Sequence, residues 1–182
     1  MGLFRWSLVD GNILGGKNEM IKSYDVGSLP PKMKQGEIRK LFLAYEENAD
    51  SRLSRHLEEI IVEAFLDKAS AGTDIPNYPQ FRDMNEMFLQ MISGIEKLKE
   101  GYVEVESLSL KSGKSKIPEV HIIERNSEKI YETLNRNFKL KVCITGHYTL
   151  SALFAYKNEK TFLNLGKVLA EIAKENIFEN KY

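Results

Sequence analysis

The sequence contains a single cysteine, Cys143, and this scarcity excludes an internal disulfide bond. A disulfide-stabilised secreted fold is therefore excluded, and a reducing cytoplasm is the expected compartment. An excess of charge of one sign is also missing, because 26 Lys and Arg residues balance 26 Asp and Glu residues. Global charge therefore favours neither nucleic acid nor an anionic lipid surface as a partner.

Long apolar runs are missing as well. No stretch of about 18 apolar residues occurs, and Arg5 interrupts the apolar residues near the start, so we expect neither a membrane span nor a signal peptide. With 182 residues, of which 42% are hydrophobic and 29% charged, the composition is typical of one soluble globular domain. We assign residues 1–22 to an N-terminal extension that forms a ribbon, and residues 23–182 to the domain.

From Ser23 onwards, short β-branched runs alternate with helical patterns. This alternation is typical of an α/β fold made of parallel βα units, and the sequence predicts about four of them. The predicted strands cover residues 23–26, 73–75, 120–123 and 142–144. A complete barrel of eight units needs about 250 residues. The prediction is therefore either the first half of a (β/α)8 barrel or a small open α/β domain, with one sheet edge unpaired.

Several helices are predicted between these strands. Apolar residues at three- and four-residue spacing predict a helix over 53–65 that stops near Gly72, and a last helix that begins at about Thr161. A shorter helix is predicted over 127–137.

The middle of the chain has two further patterns. Asp83 and Glu86 are spaced as in a capping box, and a methionine-rich apolar stripe over 84–95 predicts that a helix follows. Residues 102–110 alternate between apolar and polar, and a Lys-, Ser- and Gly-rich turn follows at 111–115. These residues therefore predict an inserted β-ribbon.

Ligands of parallel α/β folds bind at the carboxyl ends of the strands, so the loops that follow the predicted strands are the candidate site. Together these loops offer backbone N–H groups, a hydroxyl, a cation and carboxylates to a small zwitterionic ligand. In the alternative interpretation, Asp83 only caps a helix and the glycines and prolines only turn the chain. His147 is a candidate general acid or ligand-binding residue, or else a histidine that is hydrogen-bonded within its loop.

Two other patterns are weak. Residues 11–18 approximate a phosphate-binding loop, but Asn18 stands where a Ser or Thr must contact magnesium. Cys143 and His147 are four residues apart, but no second cysteine completes a zinc site.

Three segments, in the same order and at similar spacing, resemble motifs of the catalytic domain of cobalamin-independent methionine synthase. Residues 26–30 resemble its Gly-Ser-Phe-Pro motif, residues 82–88 its Asn-Asp-Met-Val-Glu-Tyr-Phe motif, and residues 144–150 its Leu-Thr-Gly-Pro-Val-Thr-Ile motif. The resemblance covers about residue 23 to the C-terminus. It implies the amino-terminal half of a TIM-barrel methyltransferase of methionine biosynthesis, in a superfamily that includes uroporphyrinogen decarboxylase-like barrels.

The resemblance also implies substrate-binding residues. Gly27 and Ser28 match the residues that hold the carboxylate and amino groups of homocysteine, and Met84 matches a methionine that lines that site. Tyr78 stands where the family has a glutamate for the amino group, and a phenol does not neutralise an ammonium as a carboxylate does. The substrate-binding residues assigned on this basis are Gly27, Ser28, Tyr78, Asp83, Met84, Thr145, Gly146 and His147.

The complete family enzyme is expected to use zinc. The resemblance implies that its zinc ligands, a His, two Cys and a Glu, belong to the second half of the barrel and activate the homocysteine thiol. No metal ligand and no catalytic residue are assigned in this chain, and a second half-barrel subunit or a homodimer is the expected partner. The methyl donor, methyltetrahydrofolate or a methylated corrinoid, stays open. The alternatives are a half-barrel that binds a small ligand without chemistry and a self-associating scaffold.

Overall fold

The structure is a computed structural model that describes residues 21–25, 29–30 and 32–178. Nearly all of the predicted N-terminal ribbon lies outside the described residues, as do Gly27 and Ser28. The described residues mix helices with one sheet of two antiparallel strands. The helices are α1 (Gln35–Glu47), α2 (Arg52–Ser70), α3 (Glu86–Leu89), α4 (Pro118–Arg125), α5 (Ser127–Leu134), α6 (His147–Ser151) and α7 (Glu159–Glu175), and the strands are β1 (Ile92–Leu98) and β2 (Gly101–Leu110).

The predicted helices over 53–65 and from about Thr161 are confirmed as α2 and α7. The backbone N–H of Ser54 donates to the Ser51 hydroxyl at 3.1 Å, which caps the start of α2. Beyond its end Gly72 has a φ of +97°, a conformation that favours glycine. Helix α1 was not predicted, although Ile38, Leu41, Phe42 and Tyr45 form its buried stripe against α2.

The predicted helix over 84–95 is wrong beyond its first residues. Helix α3 is only four residues long, and Ile92 begins β1, which pairs antiparallel with β2. Met87 and Met91 of the apolar stripe are buried, as predicted for core residues. The stripe failed as a helix signal because Ser93 and Gly94 are weak helix formers, and because pairing with β2 satisfies the backbone of this segment instead.

The inserted ribbon over 102–110 is confirmed as β2, and its partner is the segment that was predicted to be helical. The predicted strand over 120–123 is wrong, because these residues lie in α4, with Pro118 in its first turn. Val120, Ile122 and Ile123 are all buried, and a short apolar run does not distinguish a strand from a buried helix. The predicted helix over 127–137 is confirmed as the shorter α5, which ends at Asn135 with a φ of 49°.

Three short extended segments remain from the predicted parallel strands. Tyr24 forms a single parallel bridge with Ile75, and Asn77 forms another with Lys141. Single bridges do not amount to a parallel sheet, so four parallel βα units are not shown. The described residues form a mixed helix-and-strand structure with one small antiparallel sheet.

The core is continuous across these elements. Its largest fully buried side chains are Tyr78, Phe65, Phe88, Ile38, Leu57, Ile61, Ile92, Ile117, Ile122, Ile123, Ile130 and Leu150. Helix α7 also contacts β2, and the backbone of Tyr102 bonds residues 153 and 155. Within the described residues, no helix combines the length and the apolar character that crossing a membrane requires.

Candidate functional site

The Asp25 carboxylate connects the first two extended segments. One oxygen lies 2.6 Å from the ammonium of Lys68 on α2, and the other accepts the backbone N–H of Asn77. Lys68 also donates to the Asn77 carbonyl at 3.3 Å. A second cation, Lys141, donates to the Asp25 carbonyl at 3.4 Å. Sequence reasoning missed this cluster, although the charge of Asp25 within a predicted strand, and that of Lys141 directly before another, were a signal for it.

Asn77 connects the second segment to the third. Its side chain is fully buried, and its Oδ1 accepts the backbone N–H of Cys143 at 3.2 Å. Its Nδ2 is buried without a partner among the described residues. Asn77 therefore aligns residues 75–77 with residues 141–143 through its side chain as well as through its backbone.

Tyr78 lies in the same junction. Its side chain is fully buried, and its hydroxyl donates to the carbonyl of Cys143 at 2.7 Å. Burial, reinforced by the negative charge of Glu119, raises the pKa of the Tyr78 phenol well above its ordinary value. The phenol is therefore neutral and committed to a backbone oxygen, and it positions the third segment. Its predicted contact with substrate stays a prediction.

Thr145 and Met84 meet at the ends of the second and third segments. The buried Thr145 hydroxyl donates to the Met84 carbonyl at 2.6 Å. Met84 is 46% exposed, so this residue is accessible beside the contact. The structure thus brings together Met84 and Thr145, two of the residues that the sequence assigned to the site, and a third, Tyr78, bonds Cys143, two residues before Thr145.

Asp83 has the capping role that the alternative interpretation gave it. Its Oδ1 accepts the backbone N–H groups of Asn85 and Glu86, at 2.9 and 2.7 Å, at the start of α3. The side chain is exposed, and no hydrogen bond or ion pair joins its second oxygen to another described residue. One carboxylate oxygen therefore stays accessible next to Met84.

Gly146 and His147 lie at the start of α6, with Gly146 as the residue that precedes the helix. The His147 ring packs edge-on against Phe162 of α7, with ring centroids 4.2 Å apart. This contact places His147 in the packing between α6 and α7. It does not join the hydrogen bonds that connect Tyr78, Cys143, Thr145 and Met84.

Gly27 and Ser28 lie outside the described residues, but the residues on both sides of them are anchored. Asp25 binds Asn77 and Lys68, as described above, and the backbone N–H of Leu29 donates to the Gln80 carbonyl at 3.2 Å. The residues before and after Gly27 and Ser28 therefore both bond the segment 77–80, which carries Tyr78.

Sequence reasoning also missed a buried ion pair close to Asp83. The Arg82 guanidinium donates to both oxygens of Glu119, at 3.0 and 2.6 Å, and lies 4.3 Å from the centre of the Phe42 ring. The neighbouring cleft has a volume of about 430 Å³ and mixes both charge signs with apolar surface. Its lining includes Gln35, Arg39, Phe42, Arg82, Asp83 and Glu86.

The described residues do not fit a zinc site. Among residues 21–25, 29–30 and 32–178, no three His, Cys, Asp or Glu side chains lie together so as to hold a metal ion. Burial raises the pKa of the Cys143 thiol, which favours the thiol over the thiolate that would bind zinc. His147, four residues away, packs on Phe162 instead.

No protein-family model matches the chain, and no curated protein matches it.

Proposed function

We propose that this chain is the amino-acid-binding half of a cytoplasmic methionine-synthase-like methyltransferase, and that it holds homocysteine or a related thiol as the methyl acceptor. The observation that carries the proposal is the parallel direction of the bridges Tyr24–Ile75 and Asn77–Lys141. Because the three segments run the same way, the residues that follow them leave at one edge. This is the edge at which parallel α/β folds bind their ligands.

Two hydrogen bonds support the proposal, because they join loops that are far apart in the sequence. Thr145 bonds the Met84 carbonyl, and Tyr78 bonds the Cys143 carbonyl. These bonds limit the movement of the loops at the proposed site, and a pre-positioned site loses less entropy when it binds a small ligand.

The proposed ligand contacts follow from the chemistry of an amino acid that carries a thiol. Ser28 and the backbone at Gly27 donate to the carboxylate, and Met84, an exposed residue, contacts the aliphatic chain. Tyr78 is neutral, so the ammonium group needs another counter-charge. The accessible oxygen of Asp83, next to Met84, supplies it in this proposal.

The chain's own part in the reaction is to bind and orient the acceptor. Activation of the thiol and delivery of the methyl group, from a folate or a corrinoid donor, are assigned to a second half-barrel polypeptide. No step of the chemistry is assigned to Cys143 or His147, since one is a half-buried thiol with a raised pKa and the other packs on Phe162.

Calorimetry of the full chain with L-homocysteine and L-methionine tests the binding proposal. We expect Ser28→Ala to weaken binding about tenfold or more, because hydrogen bonds to a charged group contribute about 1.5–3 kcal/mol. Ser107→Ala, an exposed serine on β2, is the matched control and should bind like the unaltered chain. Equal affinities for both variants, or no heat with either amino acid, would remove the proposed site.

A second experiment tests the methyltransferase proposal. Native mass spectrometry of the tagged chain, isolated from its own cells, should reveal a second polypeptide with zinc, and that complex should methylate homocysteine. A lone, metal-free species near 20.9 kDa that still binds homocysteine would refute the methyltransferase proposal. The chain would then be a non-catalytic binding protein.

A further inference from the structure

Among the described residues, the backbone of the third extended segment, residues 139–144, forms hydrogen bonds on one side only. Lys141 donates to the Pro76 carbonyl at 2.9 Å and accepts from Tyr78 at 3.3 Å. The backbone N–H and carbonyl of Cys143 bond the side chains of Asn77 and Tyr78. The odd-numbered residues therefore face the second segment.

The even-numbered residues face the other way, because backbone groups alternate in direction along an extended chain. In the part of the chain that the structure describes, no hydrogen bond reaches the N–H or carbonyl of Leu140, Val142 or Ile144. Their side chains are half-buried and pack against the core. Residues 139–144 thus present an outer edge of unpaired donors and acceptors, called here the 139–144 edge, and such an edge is a template for a further strand.

The sequence around this edge is basic. Residues 133–158 contain no Asp or Glu, in a protein whose formal net charge is zero. The cations of this stretch are Arg136, Lys139, Lys141 and Lys157. Lys139 is exposed. Two copies of the edge paired antiparallel about Leu140 would place Lys139 opposite Lys141 of the second copy, and like charges directly opposite each other are destabilising.

We infer that the 139–144 edge is a strand-addition site for an extended segment of a partner polypeptide in which acidic and apolar residues alternate. The partner's backbone would pair with Val142 and its neighbours, and its carboxylates would lie near Lys139. This recognition mode obtains affinity from main-chain hydrogen bonds and specificity from alternate side chains. The inference does not depend on the proposed function, because the edge is the outer side of the third segment, whereas the acceptor site lies beyond the carboxyl end of that segment.

The probe is the synthetic peptide acetyl-Thr-Glu-Val-Glu-Val-Glu-Thr-amide, titrated into the ¹⁵N-labelled full chain. We expect amide chemical-shift changes and slowed hydrogen exchange at Val142 and Ile144. Two matched peptides are the controls, one N-methylated at alternate residues so that it cannot pair as a strand, and one with Lys in place of Glu. Both should bind at least about tenfold more weakly.

A chain variant separates charge from backbone pairing. Lys139→Glu should weaken binding of the acidic peptide about threefold to tenfold and strengthen binding of the Lys peptide. Lys129→Glu, at an exposed position on α5, should change the affinity of neither peptide. The inference is overturned if the N-methylated peptide binds equally well, if no shift occurs at Val142 and Ile144, or if both amides shift with protein concentration alone. The last result would assign the edge to a second copy. None of these results depends on homocysteine binding, so the two proposals fail separately.

Discussion

Glu119 is a fully buried carboxylate whose direct counter-charge is the guanidinium of Arg82. Both carboxylate oxygens accept from Arg82, and the guanidinium also lies over Phe42. Removing two charges from water is costly, and a buried pair recovers that cost only when its geometry and its hydrogen bonds are complete. Loss of one partner therefore costs more than the pair itself contributes.

We predict that Glu119→Ala lowers the free energy of unfolding by about 3–5 kcal/mol, because it leaves Arg82 buried without a counter-charge. Urea unfolding measures this change. Glu63→Ala is the control, since Glu63 and Lys32 form an exposed pair at 3.3 Å, and we expect a change within about 0.5 kcal/mol. A double variant, Arg82→Met with Glu119→Leu, should recover part of the loss. Equal effects of Glu119→Ala and Glu63→Ala would contradict this account.

At the scale of elements, the β1–β2 hairpin depends on one irregular position. The register of the two strands is interrupted between Ser93 and Ile95, so that Gly94 faces a bulged part of β2. Gly94 has a φ of +83°, and a Cβ atom there would lie 2.7 Å from the carbonyl oxygen of Ser107. Neither the conformation nor the space admits a side chain without a shift of the backbone.

Gly94→Ala should therefore lower the free energy of unfolding by about 2 kcal/mol or more, from the left-handed backbone and from the overlap with Ser107. Gly36→Ala on α1 is the matched control, because nothing lies within 4 Å of its added Cβ. That control should leave stability unchanged or raise it by about 0.5 kcal/mol. Thermal unfolding of both variants distinguishes them, and a Gly94→Ala variant as stable as Gly36→Ala would show that the bulge is not required.

At the scale of the whole molecule, Asn176 joins the end of α7 to the start of α4. Its side chain is buried, accepts the Ile117 N–H at 2.7 Å and donates to the Ser115 carbonyl at 2.8 Å. These hydrogen bonds link the last described helix to the segment that follows the hairpin. The core continues through the same region, with Ile117 and Ile172 both fully buried.

Asn176→Ala should lower the free energy of unfolding by about 1–3 kcal/mol, because it leaves buried backbone groups unsatisfied. Because the core is shared, we expect one transition whose midpoint moves equally for far-UV circular dichroism and for tyrosine fluorescence. Asn137→Ala, at an exposed position, should leave that midpoint in place. Separate transitions for the two probes would show that the hairpin and the helices unfold independently.

The prediction succeeded where a local pattern and the final structure agree. Helices α2 and α7 have long amphipathic stripes, with Gly72 after the first of them, and β2 alternates between apolar and polar residues over most of its length. It failed at residues 84–95 and 120–123, where an apolar run fits either a helix or a strand. In the candidate site, the capping role of Asp83 was foreseen as an alternative, whereas the Arg82–Glu119 pair was not, because its partners are 37 residues apart.

The sequence by itself determined the chemistry available to this protein: one cysteine, no excess of charge, two long amphipathic helices and a basic stretch without carboxylates over 133–158. Only the tertiary structure decided which of these groups meet. It buried Tyr78 and bonded its hydroxyl to the Cys143 carbonyl, and it bonded Thr145 to the Met84 carbonyl. It also left the outer edge of residues 139–144 without a paired strand among the described residues. The reason is physical, since helix periodicity and turn chemistry act over a few residues, whereas these contacts join segments about 60 residues apart.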